Sequence, residues 1–223
     1  MNMGFRSHCI PNYRLLTERQ IKDIHNATLQ LLDSIGVCVM EPKVIQLLMD
    51  AGCRLKSDNI VQIPDGLVEA CIHSAPSRIT IYNRNGDEAM HLEGRKIHFG
   101  LGTDLLKTYD LETGLLRSSR LRDVVNAARI ADYFEDIDFI ASYAHPQDIP
   151  ANLAHIESFR AELENSIKPV FFTAAGPEDL TIILEMAETA AGGENRLRQR
   201  PFIIHYSEPT SPLTHSASAL HKL

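Results

Sequence analysis

An α/β fold is predicted by three features of the sequence. Short apolar runs end in polar loops, the runs repeat at the size of a βα unit, and amphipathic stretches separate them. The clearest run is PFIIHYSEPTSPL, residues 201–213, in which the chain passes from Phe202–Tyr206 into His, Tyr and Glu and then two prolines. DFIASYAHPQDIP (138–150) and PVFFTAAGPEDL (169–180) share that anatomy. The landmark prolines Pro146, Pro177 and Pro209 lie about 31 and 32 residues apart, one βα unit each. Polar groups collected at the carboxyl ends of parallel strands are where α/β folds build their sites.

The chain taken in order supports a small α+β cap over residues 1–93 and a βα array over 94–223. Thr17 and Gln20 form a capping-box pattern, with Leu16 and Ile21 as a staple, ahead of Ile21, Ile24, Thr28, Leu31, Leu32 and Ile35 at helical spacing. Gly36 supplies the stop. Pro42 starts a second helix that ends at Gly52. Arg54–Leu55 and Ile60–Ile63 flank a Ser-Asp-Asn turn, Pro64-Asp65 opens a short helix, and Asn85-Gly86 joins two strands into a hairpin. His25, His73 and His91 in this region read as surface or structural histidines.

After Gly94 the expected order is a strand over 96–100 running into the loop GLGTD, a DLETG turn, and a helix from Leu121. Strand 138–144, helix 151–165, strand 169–174, helix 178–191, strand 201–207 and a helix from 213 follow. That makes four βα units. A closed (β/α)8 barrel takes eight units and about 250 residues. The array is therefore either a four-stranded open sheet or the first half of a (β/α)8 TIM barrel. The unfinished helical pattern at His221-Lys222-Leu223 favours the half barrel.

Composition excludes several classes. A formal charge of −7 on 223 residues, with no basic patch beyond Arg196–Arg200, argues against nucleic-acid binding. Arg196–Arg200 reads as a solvated turn. No apolar run spans a bilayer and no signal-peptide core is evident. Cys9, Cys38, Cys53 and Cys71 are irregularly spaced, as expected of reduced thiols in a cytoplasmic protein.

Strand alternation assigns faces. Phe202, Ile204, Tyr206 and Glu208 share one parity and His205 takes the other; Phe139, Ala141, Tyr143 and His145 go together, as do His98 and Asp104. Asp104, Tyr143, His145, Tyr206 and Glu208 thus ring the expected rim as candidate substrate-binding residues, with Thr173 nearby. Three chemistries fit: capture of a quaternary ammonium by aromatic faces and carboxylates, metal ligation, and acid–base work by Glu208 or Asp104. The pairs His145/Asp148 and His205/Glu208 repeat a His–acid spacing. A strand sends i and i+3 to opposite faces, so no metal is assigned from that spacing. Asp148 and Asp179 read better as helix caps. No catalytic residue is assigned.

LTERQIKDIHNATLQLLDSIGV, the AGC…VQIPDGLVEACIHSAP segment, IHFG…TYDLETG…SSRLRD and EPTSPLTHS occur in an order that resembles the trimethylamine methyltransferase family. The resemblance runs from about Leu15 onward and implies a (β/α)8 barrel. It further implies transfer of a methyl group from a methylated or quaternary amine to the cobalt of a partner corrinoid protein, with no cofactor bound directly. Some members carry pyrrolysine in the second half of the barrel, a region outside this chain, and others act on quaternary amines such as betaines. The expected partners are a corrinoid protein, a methylated amine and further copies of the chain. Two other readings stand beside this one: an inactive half-barrel that pairs with itself or another chain, and a metal-dependent hydrolase.

Overall fold

The computed structural model describes residues 13–223, so Cys9 lies outside the described residues. The elements in chain order are α1 (Glu18–Ser34), β1 (Val37–Val39), α2 (Pro42–Asp50), β2 (Arg54–Ser57), β3 (Ile60–Gln62) and α3 (Asp65–Ser74). Then come the strands β4 (Arg78–Tyr82), β5 (Glu88–Glu93), β6 (Lys107–Tyr109) and β7 (Leu116–Ser118), followed by α4 (Leu121–Tyr133). The remainder is β8 (Ile140–Ala141), α5 (Ala154–Asn165), β9 (Val170–Phe172), α6 (Pro177–Ala191), α7 (Glu194–Gln199), β10 (Ile203–His205), β11 (Thr214–His215) and α8 (Ala217–Leu220). The mixed α/β class is as expected. The sheets are small, and none closes on itself among the described residues.

The backbone divides into two compact units. The first comprises the chain up to Ser77 together with Glu208–Leu220. Its sheet has the order β11-β1-β3-β2, with β2 and β3 antiparallel around the expected Ser-Asp-Asn turn. The α1 capping box forms as read: the Gln20 N–H donates to Thr17 Oγ1 at 3.3 Å, and Thr17 N–H donates to Gln20 Oε1 at 2.9 Å. Leu16 and Ile21, expected as a staple, both stay exposed. Gly36 ends the helix at φ 86°, and a Cβ there would come within 2.5 Å of the Val61 carbonyl oxygen, so only glycine serves. Val37, Val39, Cys53 and Val61 form the core of this unit.

One expectation fails here. The helix predicted from Leu213 begins only at Ala217, as α8; Thr214 and His215 ahead of it form β11, which lies parallel to β1 with Cys38 opposite Thr214. The Leu213 carbonyl accepts the Cys38 N–H at 2.9 Å, and His215 accepts Met40 N–H at 3.0 Å. Covering the open edge of β1 satisfies backbone groups that a helix would have left unpaired.

The second unit comprises Arg78–Ser207 and His221–Leu223. Its centre is the parallel sheet β8-β9-β10, in chain order. Residues 96–100 do not form the regular strand expected; the segment joins β8's side of the sheet through parallel bridges Gly100–Phe139 and Leu105–Ala144. Four parallel stretches thus lie side by side in sequence order. One face is sealed by helices: Ile140, Val170, Phe172 and Phe202 pack with Phe159, Ile183 and Ala187 in a dry core. Pro177 starts α6 and Gly192, at φ 84°, ends it. Arg196–Gln199, expected in a turn, belongs to α7, because Leu197 buries itself in that same core.

The Asn85-Gly86 hairpin β4/β5 forms as predicted and groups with this second unit. Its Tyr82 N–H donates to Pro201 O and its Arg84 N–H to Ile167 O, both at 2.8 Å. The hairpin is therefore pinned just ahead of β9 and β10, at the amino ends of the strands. The DLETG turn closes a further hairpin, β6/β7: Asp110 Oδ1 accepts from Glu112 and Thr113, and Arg117 bridges Asp110 and Asp123. That pairing holds the Asp110 carboxyl well below the usual carboxylate range and raises Arg117.

Lys168, just ahead of β9, donates its ammonium to the carbonyls of Ala131, Phe134 and Ile137, each at 2.6 Å. It closes the carboxyl end of α4 and the loop that leads into β8. Replacing Lys168 with Met is expected to destabilise the chain by about 2–3 kcal/mol, the worth of charged hydrogen bonds left unmade. Urea unfolding monitored by circular dichroism checks this; a change below about 0.5 kcal/mol would show the contact to be idle.

Candidate functional site at the strand ends

The parallel ladder decides where side chains gather. Asp104 N–H donates to Ser142 O at 2.7 Å, Leu105 N–H to Tyr143 O at 3.2 Å and His145 N–H to Leu105 O at 3.1 Å. On the far side of the sheet, Tyr206 N–H donates to Phe172 O at 3.0 Å, and Thr173 Oγ1 donates to Tyr206 O at 3.2 Å. Residues 104, 143–145, 173 and 206 are thereby held at one rim. Asp104 sits at φ 58°, a left-handed conformation that Asp tolerates better than most residues. The Ser142 bond holds it there.

Across this rim Tyr206 Oη donates to Asp104 Oδ2 at 2.6 Å. The Tyr206 ring stacks on Phe171, with centroids 4.7 Å apart and planes 14° apart, and Phe171 meets Phe139 edge-on at 6.0 Å. Phe139, Phe171 and Tyr206 form an aromatic row that ends at the carboxylate. On the helix-facing side, Phe172 contacts Phe159 and His205. His205 is thus placed where its parity put it, and burial lowers its pKa.

The amino end of α5 adds a second group of polar side chains. His155 lies against His145, with ring centroids 5.2 Å apart. One ligand atom from each of Asp104, His145 and His155 lies within 4.8 Å of the others. Burial pushes His155 below the ordinary histidine value; the Asp104 charge opposes that shift. Two turns along the same helix, Glu162 is wholly buried and neither carboxylate oxygen finds a partner in good hydrogen-bonding geometry. Burial pushes its carboxyl up to about 8; Ser142 pulls the other way and the Asp104 charge adds to the rise. A charged Glu162 would raise the energy of the dry core, so the protonated form is favoured.

The candidate rim residues divide. Asp104, His145 and Tyr206 come together. Tyr143 turns instead to Thr108, with the two hydroxyls 2.9 Å apart, and packs beside Val124 and Ala161. Glu208 is exposed and belongs to the first unit. Asp148 caps a helix, though not the one that follows it: its Oδ1 accepts the Leu121 N–H of α4 at 2.9 Å. Asp179 lies in the first turn of α6. The cap-unit histidines are structural too: His25 pairs with Glu69 at 2.7 Å, and His73 approaches the Glu69 carbonyl. His155 and Glu162 lie within α5 and not at a strand end, so strand parity does not reach them. Their signal was helical: both share a face with Ser158 and Phe159, polar groups placed where apolar ones belong.

Glu162 makes stability depend on pH. Its folded pKa lies above the unfolded value, so its contribution is full below about 4.5 and is lost as pH rises towards about 8. Within that window the loss approaches about 1.4 kcal/mol per pH unit. Glu162→Gln, which cannot ionise, is expected to melt above the parent protein at pH 8–9 and to flatten the melting-temperature profile. Parallel profiles for the two proteins would contradict the assignment.

Comparison with known proteins places the chain in a family. The family model described as trimethylamine methyltransferase matches residues 2–223. Trimethylamine methyltransferase MttB of Desulfitobacterium hafniense (strain DSM 10664 / DCB-2) is 31% identical over 201 residues, covering 88% of this chain and 40% of that protein. A glycine betaine methyltransferase of Desulfitobacterium hafniense (strain Y51) is 26% identical over 215 residues, covering 96% of this chain and 44% of its own length. Trimethylamine methyltransferase MttB of Methanosarcina barkeri is 28% identical over 223 residues, 97% of this chain and 45% of that protein. The chain spans less than half the length of these curated relatives. No helix among the described residues is long and apolar enough to cross a membrane.

Proposed function

The chain belongs to the trimethylamine methyltransferase family, and we propose that it supplies one wall of a pocket from which a methylated or quaternary amine gives up a methyl group. The observation that carries this reading is the bond from Tyr206 to Asp104. These residues sit on the fourth and first of four adjacent parallel stretches. In a flat sheet those stretches would lie about 14 Å apart, three strand spacings. Direct contact requires the sheet to curl towards its own aromatic face. That curvature, with the sequential strand order, supports the first half of a (β/α)8 barrel with Asp104, His145 and Tyr206 at the carboxyl-end rim.

The rim suits a methylated ammonium ion. A quaternary nitrogen offers no N–H, so aromatic faces and a nearby carboxylate must hold it. Phe171 and Tyr206 provide the faces and Asp104 the charge. Transfer breaks the C–N bond, whose electron pair stays on nitrogen, while the methyl carbon bonds to the acceptor. In this reading the acceptor is a corrinoid carried by a separate protein, whose reduced cobalt supplies the nucleophile. The departing amine becomes neutral, so a carboxylate that gripped the cation too firmly would favour the ground state over the transition state. The Tyr206 hydroxyl tempers the Asp104 charge by occupying one oxygen, and the aromatic row fixes the direction of the C–N bond. Free Cys38, Cys53 and Cys71 fit a reducing compartment, and the cytoplasm is the proposed location.

The test is methyl transfer by the polypeptide containing this chain to a reduced corrinoid protein, over a panel of mono-, di- and trimethylamine and betaines. At least one amine is expected to methylate the acceptor. Asp104→Asn is expected to raise KM for that amine about tenfold, a loss near 1.4 kcal/mol of cation binding. Failure of every amine on the panel would overturn the reading.

A further inference from the structure

We propose that Asp104, His145 and His155 form a divalent transition-metal site. The three residues come from three separate parts of the second unit: the carboxyl end of the first parallel stretch, the end of the β8 strand segment and the first turn of α5. Their ligand atoms nevertheless converge within 4.8 Å. A tetrahedral ion with bonds of about 2 Å places its ligand atoms about 3.3 Å apart. Closing the remaining gap takes small rotations of two imidazoles already lying ring against ring.

A second observation points to a missing partner. Asp104 gives Oδ2 to the Tyr206 hydroxyl, but its Oδ1 is buried with no hydrogen-bond partner among the described residues. A buried carboxylate oxygen left unmatched is costly, and an ion coordinated by it removes the cost. The backbone is set for this: Asp104 is held at φ 58° by its N–H bond to Ser142, which fixes where the carboxylate emerges. Tyr206 then acts as an orienting outer partner, of the kind that metal-bound carboxylates usually have.

The donor set selects the ion. Two imidazoles and one carboxylate suit Zn²⁺, Fe²⁺ or Co²⁺ and do not suit Ca²⁺ or Mg²⁺, which favour oxygen alone. Three protein ligands leave at least one position for water or an external donor, the pattern of reactive rather than purely structural sites. A metal ion and a bare quaternary ammonium would repel each other at this rim. An amine substrate sharing the site would therefore approach the ion through a carboxylate, as a betaine can, or through a nitrogen lone pair. Asp104 is common to both readings, so a bound ion and a bare ammonium compete for it; ion binding is therefore tested with the metal alone and no amine present.

The full chain, stripped with chelator, would be titrated with Zn²⁺ by calorimetry and with Co²⁺ by visible absorption. One ion per chain is expected, and the Co²⁺ spectrum should show ligand-field bands of nitrogen–oxygen ligation without thiolate charge transfer. His145→Ala and Asp104→Asn should weaken binding by at least about tenfold, and Tyr206→Phe by about tenfold. Metal-free thermal melts show whether each variant folds; His145, on a partly exposed loop, is the variant that changes no residue of α5 itself and removes only its ring contact with His155. Absence of saturable one-to-one binding would overturn the site. So would affinity unchanged in a folded His145→Ala, or a spectrum dominated by thiolate charge transfer, which would assign the ion to cysteines. Methyl transfer is read separately, so failure of either proposal is visible without the other.

Discussion

The parallel ladder from Gly100 through β8 and β9 to β10 is the constraint on which the second unit depends. Parallel strands need cover on both faces, and here the two covers differ. The helices α5 and α6 seal one face with Phe159, Ile183 and Ala187 against Phe172 and Phe202. The other face carries the row Phe139, Phe171 and Tyr206. Once the ladder fixes the register, the carboxyl ends of the strands are level. The side chains beyond them then meet without any one loop having to carry the site.

The same arrangement explains why the polar groups at the rim have unusual surroundings. The helix α5 begins beside the rim and then runs back along the helix-facing side. His155 therefore stands at the site, while Glu162, two turns on, is carried into the dry layer. Asp104 influences both through charge, raising each of their pKa values, although burial dominates and drives the two in opposite ways. At the opposite end of the sheet, the β4/β5 hairpin caps the amino ends through Tyr82 and Arg84. The candidate site and the closing hairpin thus occupy opposite ends of one sheet, the division usual in α/β folds.

Much of this was legible in the sequence wherever a local rule decided the outcome. The Thr17–Gln20 box, Pro42, Asn85-Gly86 and Pro177 each act within a few residues, and each does what its chemistry predicts. Strand parity placed Tyr206 and His205 on opposite faces correctly. It also grouped Asp104, Tyr143, His145, Tyr206 and Glu208, of which Asp104, His145 and Tyr206 converge while Tyr143 and Glu208 do not. Prediction failed where a distant partner decided. Nothing near Leu213 announces that the edge of β1 will capture it as a strand, and nothing near Tyr143 announces Thr108. Leu197 turned an expected loop into helix because the core had room for it. The buried Glu162 breaks the local rule that a core-facing helical position is apolar. Such a breach commonly marks a functional site.

The central claim is that the aromatic row and Asp104 together recognise a methylated ammonium ion. NMR of the chain with tetramethylammonium tests it without requiring any acceptor. Nuclear Overhauser contacts from the ligand methyls to the rings of Tyr206 and Phe171, saturable and shifted to about tenfold higher ligand concentration in Asp104→Asn, are the result this account predicts. Saturable binding whose contacts fall elsewhere on the chain, or no binding at all, would contradict it.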